Sequence, residues 1–272
     1  MTVAPDAVRA FEHAGWERAA AKYDATFARA SAEFAEALLD AAGVRAGMAV
    51  LDLCCGTGLV SGAAARRGAA PVGLDFSAAM LARAKTKYPA LRFEQGDAEA
   101  LPLADAGFDA LVSNFGIHHV PVPANAMTEA FRALKPGGRI AITSWAAPAE
   151  NIAWKLLFDA IRTHGDPHAG KAPPSGGGLD SPDAALRLLD AAGFVANDIG
   201  IVRCLWRLPD GAALIAAFRG GTARTAARIA AQPAAALPAI VADIDRAAAP
   251  YRQRGGLAIP IAAILASGRK PG

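Results

Sequence analysis

The sequence predicts an α/β fold in which a mostly parallel sheet is covered by helices on both faces. Strand-like and helix-like stretches alternate from Ala49 to Ser144, a glycine-rich turn joins the first such strand to its helix, and the following strands end in polar or acidic residues. Strands alternating with helices give a doubly wound sheet, which binds ligands beyond the carboxyl ends of its strands. The 272 residues, 53% of them hydrophobic, supply enough apolar material for a sizeable core.

From Pro5 to Ala42, Trp16, Tyr23, Phe27, Phe34, Leu38 and Leu39 recur at spacings of three, four and seven, which reads as two or three helices. Gly43 stops the last of them, and residues 44–48 turn into a strand over Ala49–Leu53. A helix over 58–67, a strand over 71–75, a helix over 77–86 and a strand over 91–95 follow. After a loop through Pro102 come a strand over 108–113, a helix over 123–134 and a strand over 138–144. Beyond Ala146 the rhythm breaks: a helix around Ile152–Thr163 leads to a loop rich in Gly and Pro, 165–178, read as a lid. A helix over 181–192 and a strand over 199–206 resume the alternation. Residues 210–250 are helical and Ala-rich, and Leu257–Leu265 reads as a closing strand whose Pro260 argues for an edge or a bulge. The expected parts are therefore an N-terminal helical cap (1–43), a cofactor-binding core (44–145), a lid insertion (146–180), a core continuation (181–208), a helical insertion (209–254) and a closing edge strand (255–272). Alanine favours helix but buries little surface, so the Ala-rich segments are expected in surface or cap helices rather than in the core.

Charge gives little direction. The 28 basic and 25 acidic residues leave +3, spread along the chain, so no nucleic-acid partner is expected. Three cysteines, two of them adjacent, form neither a disulfide framework nor a zinc-site spacing, and no metal is expected. A reducing cytoplasm fits best, since no apolar leader or membrane-length apolar run is evident and no membrane partner is expected. Oligomeric state is left open.

Chemistry concentrates at the strand ends. In Asp52-Leu-Cys-Cys-Gly56-Thr-Gly58 the glycines let the backbone turn sharply and approach a ligand closely. A dinucleotide loop needs Gly-x-Gly-x-x-Gly, whereas here Gly62 falls one place late, and the Asp52 carboxylate would repel a pyrophosphate. A ligand carrying an ammonium and a sulfonium suits that acid better, so the loop leans towards S-adenosylmethionine. After the second strand, Asp75 stands roughly 20 residues beyond the loop, where such folds bind a ribose; its alternative is a helix-capping acid, and Ser77 is placed to cap the next helix. Gly96-Asp97-Ala98 offers a carboxylate to an adenine amino group and a backbone N–H to a ring nitrogen, although a plain turn would look the same. The fourth strand ends in Ser113-Asn114-Phe115-Gly116-Ile117-His118-His119.

These stretches, with Phe108-Asp109 and Phe131-Arg-Ala-Leu-Lys-Pro-Gly-Gly138, occur across residues 49–144 in an order and spacing that resembles the class I S-adenosylmethionine-dependent methyltransferases. Within that family the chain is similar to the small-molecule enzymes of ubiquinone and menaquinone biosynthesis. The resemblance implies a Rossmann-like seven-stranded sheet with an antiparallel last strand at its edge, N-terminal helices and helical lid insertions. It implies that Asp52, Cys54, Gly56 and Gly58 hold the methionine end of the cofactor, Asp75 the ribose, and Asp97 with Ala98 the adenine. Phe76 and Met80 would pack on the adenosine, Asn114 would offer its backbone to the ammonium, and Tyr23 would close over the methyl side. Cys54 and Cys55 depart from the Gly or Ala of many members; without a His or Cys at ligand spacing they read as small packing residues, short of the thiolate set that arsenite methylation needs.

Methyl transfer from a sulfonium is an in-line displacement for which the cofactor carries the activation, and only a weakly nucleophilic acceptor needs a base. His118 and His119 are the candidates for that base, against a role in bracing the next helix or lining the pocket. Trp145, Trp154, Phe158, His164, Trp206 and Phe218 suggest an aromatic chamber for a flat or lipophilic molecule, or simply core. Arg219, Arg224 and Arg228 read as a solvated helix face before an anion clamp. The expectation is transfer to a small-molecule acceptor, with S-adenosylhomocysteine as product. A macromolecule-modifying enzyme and a non-transferring cyclase or sensor of the same fold are the alternatives.

Overall fold

A computed structural model describes residues 4–173 and 179–272, so 174–178 of the expected lid loop lie outside the described residues. Three helices open the chain: α1 (Pro5–Tyr23), α2 (Ala28–Ala32) and α3 (Ala35–Ala41). The alternating part is β1 (Ala49–Leu53), α4 (Leu59–Arg66), β2 (Ala70–Asp75), α5 (Ala78–Lys87), β3 (Arg92–Gln95), β4 (Phe108–Asn114), α6 (Pro123–Ala133) and β5 (Leu134–Trp145). Then follow α7 (Ile152–His164), α8 (Pro182–Ala191), β6 (Val195–Leu208), α9 (Gly211–Gly221), α10 (Arg224–Ala230), α11 (Leu237–Ala247), β7 (Arg252–Gln253) and β8 (Gly256–Arg269).

The strands form one Rossmann-like sheet in the order β3-β2-β1-β4-β5-β8-β6, with the short β7 paired to the start of β8. β1 to β5 run parallel, and β8 runs antiparallel to both β5 and β6. Alternation along the strands sorts the core by face. Leu51, Leu53, Leu111, Ile140 and Ile142 pack under Met127 and Ala130 of α6 and Leu189 of α8. Val50, Ala110, Val112 and Ala141 meet Leu38 and Leu39 of α3 and Val60 and Ala63 of α4. A separate apolar cluster beyond the carboxyl ends joins Phe27, Leu157, Phe218, Ile240 and Ile244 to Trp206 of β6 and Ile259 of β8.

Three expectations need correction. The closing strand is not at the edge: β8 lies between β5 and β6, and β6 is the edge. Pro260 is nonetheless accommodated as its missing N–H demands, because pairing of β8 with β5 stops at Ala263 and only β6 stands beside Pro260. Alanine is also not confined to the surface: Ala126, Ala130, Ala133, Ala262, Ala263 and Ala266 are all 0% exposed. A methyl side chain lets helices and strands approach closely, so the Ala-rich segments help build the core. Finally, the strand expected over 199–206 extends to Val195–Leu208, since β8 offers it a long partner. Among the described residues no helix is long and apolar enough to cross a membrane.

Candidate active site

The carboxyl ends of β1, β2 and β4 open into one cavity of about 280 Å³, roofed by α1 and by the start of α10. Tyr23, Cys54, Gly56, Asp75, Phe76, Met80, Asp97, Ala98 and Asn114 line it, as do His118 and His119. Residues from five separate stretches of sequence thus converge.

Asp52 and Gly58 do not line the cavity. The Asp52 carboxylate is 1% exposed and accepts from the Ser61 N–H at 2.8 Å and the Ser61 hydroxyl at 2.6 Å, tying β1 to the first turn of α4. Burial, only partly opposed by Ser61, pushes its pKa up to about 7. Gly58 is the N-cap of α4 at φ +77°, and a Cβ there would stand 2.7 Å from Cζ of Phe93. Its lack of a side chain answers packing beneath the loop.

Asp75 does face the cavity, at the end of β2. Its carboxylate accepts from the Gly56 N–H at 2.8 Å and the Ser77 N–H at 2.9 Å, and burial pushes its pKa up to about 6. A carboxylate has room for further donors beyond these two. Ser77 caps α5 as expected, accepting from the Met80 N–H at 3.1 Å. Asp97 accepts from the Glu99 N–H and from Arg9 Nη1, so α1 reaches across to this loop. The Asn114 side chain is committed to structure, donating to the Ser31 carbonyl at 3.0 Å and accepting from the Thr143 hydroxyl at 2.7 Å. Cys54 and Phe115, at the ends of adjacent strands, both adopt φ 59°, a left-handed conformation costly for side-chain-bearing residues. Gly116 must be small because a Cβ there would meet Cβ of Cys54 at 2.4 Å. Burial raises both Cys54 and Cys55 well above the usual thiol range, so they are neutral packing groups.

The roof is more elaborate than the sequence suggested. Tyr23 shares a hydrogen bond with the Ser31 hydroxyl at 3.1 Å, and burial pushes its phenol up to about 12. Glu17 accepts from the Ser77 hydroxyl at 2.7 Å, and Asp24 accepts from the Thr57 hydroxyl at 2.7 Å, so α1 is seated on the loops of β1 and β2. Glu12, 0% exposed, accepts from Trp16 Nε1 at 3.1 Å, pairs with Arg224 of α10, and lies 3.0 Å from His119 Nδ1, at ion-pair distance but outside hydrogen-bond geometry. His119 packs edge-on to Trp16 and lies beside His118. Burial, then His119 and Arg224, hold His118 well below the usual imidazole range, so it is neutral at pH 7.

Arg9 and Glu12 are functional candidates that the residue types alone did not reveal, and Arg224, expected on a solvated helix face before an anion clamp, joins them at the cavity. The signal for the first two was spacing, since Arg9, Glu12, Trp16 and Tyr23 share one face of α1. Of the expected chamber aromatics, Trp145 and Trp154 line the cavity, and Phe115 stacks on Trp145 with centroids 3.9 Å apart. Trp206 and Phe218 are wholly buried in the cap core, Phe158 lies under Arg228, and His164 pairs with Asp243. Arg219 is exposed and Arg228 binds the Pro167 carbonyl, so only Arg224 of the three arginines reaches the cavity.

Residues 51–142 match the methyltransferase domain family. The demethylmenaquinone methyltransferase of Beutenbergia cavernae is 42% identical over 112 residues, which are 41% of this chain and 47% of that protein. The 2-phytyl-1,4-naphtoquinone methyltransferase of Thermosynechococcus vestitus is 37% identical over 165 residues, 54% of this chain and 72% of that protein. The chain spans about half the length of the demethylmenaquinone methyltransferases that it matches. The crystal structure of the YcgJ protein from Bacillus subtilis superposes with a TM-score of 0.59 at 23% identity, covering 88% of this chain and 98% of that one, a likeness of fold.

Proposed function

We propose, from the premise that this chain belongs to the class I methyltransferases, that it binds S-adenosylmethionine and transfers a methyl group to a small-molecule acceptor, leaving S-adenosylhomocysteine. One observation carries this reading: a single cavity is lined by the Asp75 and Asp97 carboxylates, by apolar Phe76 and Met80, and by His118, His119 and aromatic rings.

The residues fit the cofactor by the chemistry of their donors. Asp75 keeps lone pairs for ribose hydroxyls, Asp97 and the Ala98 backbone suit an aminopurine edge, and Phe76 and Met80 supply the apolar wall. Cys54, Gly56 and the Asn114 backbone suit the amino-acid end, with Tyr23 above it. Asp52 acts one step back, fixing the loop to α4. When bound, the cofactor supplies a methyl group already activated on a sulfonium. What remains for the protein is to orient the acceptor, exclude water and take up a proton, and His118 or His119 is placed for the last task. Trp154 of the lid insertion and Arg224 and Thr225 of the helical insertion line the same cavity. Trp145 and Trp154, with relatives named for demethylmenaquinone and 2-phytyl-1,4-naphtoquinone, support a flat quinone-type or phenolic acceptor. A cytoplasmic setting suits the three unpaired cysteines.

Calorimetric titration with S-adenosylmethionine, S-adenosylhomocysteine and NADH tests the binding. Incubation with S-adenosylmethionine and pooled metabolite extract, read by mass spectrometry, tests the transfer. Binding of the first two, with a methyl gain in a small molecule and S-adenosylhomocysteine released, is expected. Tight NADH binding overturns the reading, and cofactor binding without product over many extracts leaves a non-transferring protein of this fold.

A further inference from the structure

Arg9 of α1 spans two carboxylates of the loop after β3 with one guanidinium. Its Nη1 donates to Asp97 Oδ2 at 3.2 Å and its Nη2 to Glu99 Oε2. The other oxygen of each acid is held as well: Asp97 Oδ1 accepts from the Glu99 N–H at 2.9 Å, and Glu99 Oε1 accepts from the Val122 N–H at 2.5 Å. Every oxygen of both carboxylates therefore has a donor. Arg9, Asp97 and Ala98 line the cavity together.

The two acids differ in how firmly they are placed. The Glu99 side chain is 7% exposed and fixed at both oxygens, so it sets where the guanidinium sits. The Asp97 side chain is 39% exposed, and among the described residues Arg9 alone bonds its carboxylate from outside the loop. A guanidinium is a rigid planar fork, so one arm on Glu99 determines the direction of the other on Asp97. An ion pair this exposed adds little to folding, and its consequence is the orientation of the lone pairs that Asp97 keeps for a ligand. Orientation matters for what is rejected. An aminopurine presents an amino donor beside a ring-nitrogen acceptor, which the Asp97 carboxylate and the Ala98 N–H complement; an oxopurine reverses both, setting oxygen against oxygen and N–H against N–H. Such a mismatch discriminates only while the carboxylate cannot swing aside.

We propose that Arg9 is a positioning residue for the cofactor base: by fixing the Asp97 carboxylate from the N-terminal cap, it sets the discrimination between amino- and oxopurine forms of the cofactor. Glu99 aims Arg9, and Arg9 aims Asp97. The proposal rests on the reading that Asp97 and Ala98 receive the adenine.

The test titrates the full chain calorimetrically with S-adenosylhomocysteine and with S-inosylhomocysteine, in which an oxo group replaces the adenine amino group. Wild-type protein is expected to bind the first at least about a hundredfold more tightly. Arg9→Ala should lose about tenfold in S-adenosylhomocysteine affinity and nothing in S-inosylhomocysteine affinity, so the ratio falls about tenfold, while the urea midpoint of the ligand-free protein stays near that of wild type. Glu99→Gln, which keeps an acceptor for Val122 but removes the charge that aims Arg9, should lower the ratio in the same direction and decides the matter if Arg9→Ala does not fold. The proposal is overturned if Arg9→Ala keeps the wild-type ratio or weakens both ligands equally, if Glu99→Gln keeps the ratio, or if wild-type protein binds the two ligands alike. In that last case tight S-adenosylhomocysteine binding still leaves the cofactor reading standing. Failure of S-adenosylhomocysteine itself to bind is a different result, which removes the cofactor reading.

Discussion

Glu12 of α1 and Arg224 of α10, 212 residues apart in sequence, meet over the cavity as a buried ion pair. Burial acts to raise the Glu12 pKa, but His119 and Arg224 outweigh it and hold the carboxyl below its usual range. Removing one partner of such a pair leaves an uncompensated buried charge, which is worse than removing both. Arg224→Ala is therefore expected to destabilise the protein by about 3 kcal/mol in urea unfolding, and Glu12→Leu combined with Arg224→Leu to recover most of that loss. A single variant as stable as wild type would mean that the pair does not hold the cap together.

Asp75 and Asp52 are both buried acids on adjacent strands, yet only Asp75 faces the cavity. Calorimetry should separate them. Asp75→Ala is expected to weaken S-adenosylhomocysteine binding by at least about tenfold, as loss of a charge-assisted hydrogen bond does, and Asp52→Asn by clearly less. Equal affinities for wild type and Asp75→Ala would remove the ribose contact.

His118 and His119 line the same cavity as Asp97. Replacing both with Ala is expected to abolish turnover while leaving cofactor affinity within about tenfold. Retained turnover would show that neither histidine takes the proton.

The strands and their acidic or polar ends were legible in the sequence because they depend on local patterns: apolar runs, a glycine turn, Ser77 as a cap. Strand order was less so. Nothing in Gly256–Arg269 says that it slots between β5 and β6, and Pro260 truthfully reports one missing neighbour while misleading about the sheet's edge. Asp52 shows the same limit, since a motif names the acid but only the packing of α4 on β1 turns its carboxylate to Ser61. Arg224 was the least legible residue, because its role comes from a pairing across 212 positions.

The burial of Asp52 sets a pH dependence with a definite sign. Its pKa is pushed up to about 7 in the folded protein, against a usual aspartate value of 3.8, so the folded state holds a proton that the unfolded chain has released between those two values. The stabilisation is fully present below the lower value and is lost as pH rises through the upper one. Asp75, pushed up to about 6, acts in the same direction over a narrower window. Carboxyls held below their usual range, Asp109 beside Lys135 and Glu129 beside Arg132 among them, pull oppositely as pH falls, so the whole protein's profile mixes both signs. A difference measurement isolates the effect. Relative to wild type, Asp52→Asn should gain on the order of 2 kcal/mol in unfolding free energy between pH 5 and pH 8, both pH values being roughly chosen to bracket the titration. Chemical denaturation of both proteins at each pH checks it, and parallel profiles would mean that Asp52 is ionised in the folded state across the whole range.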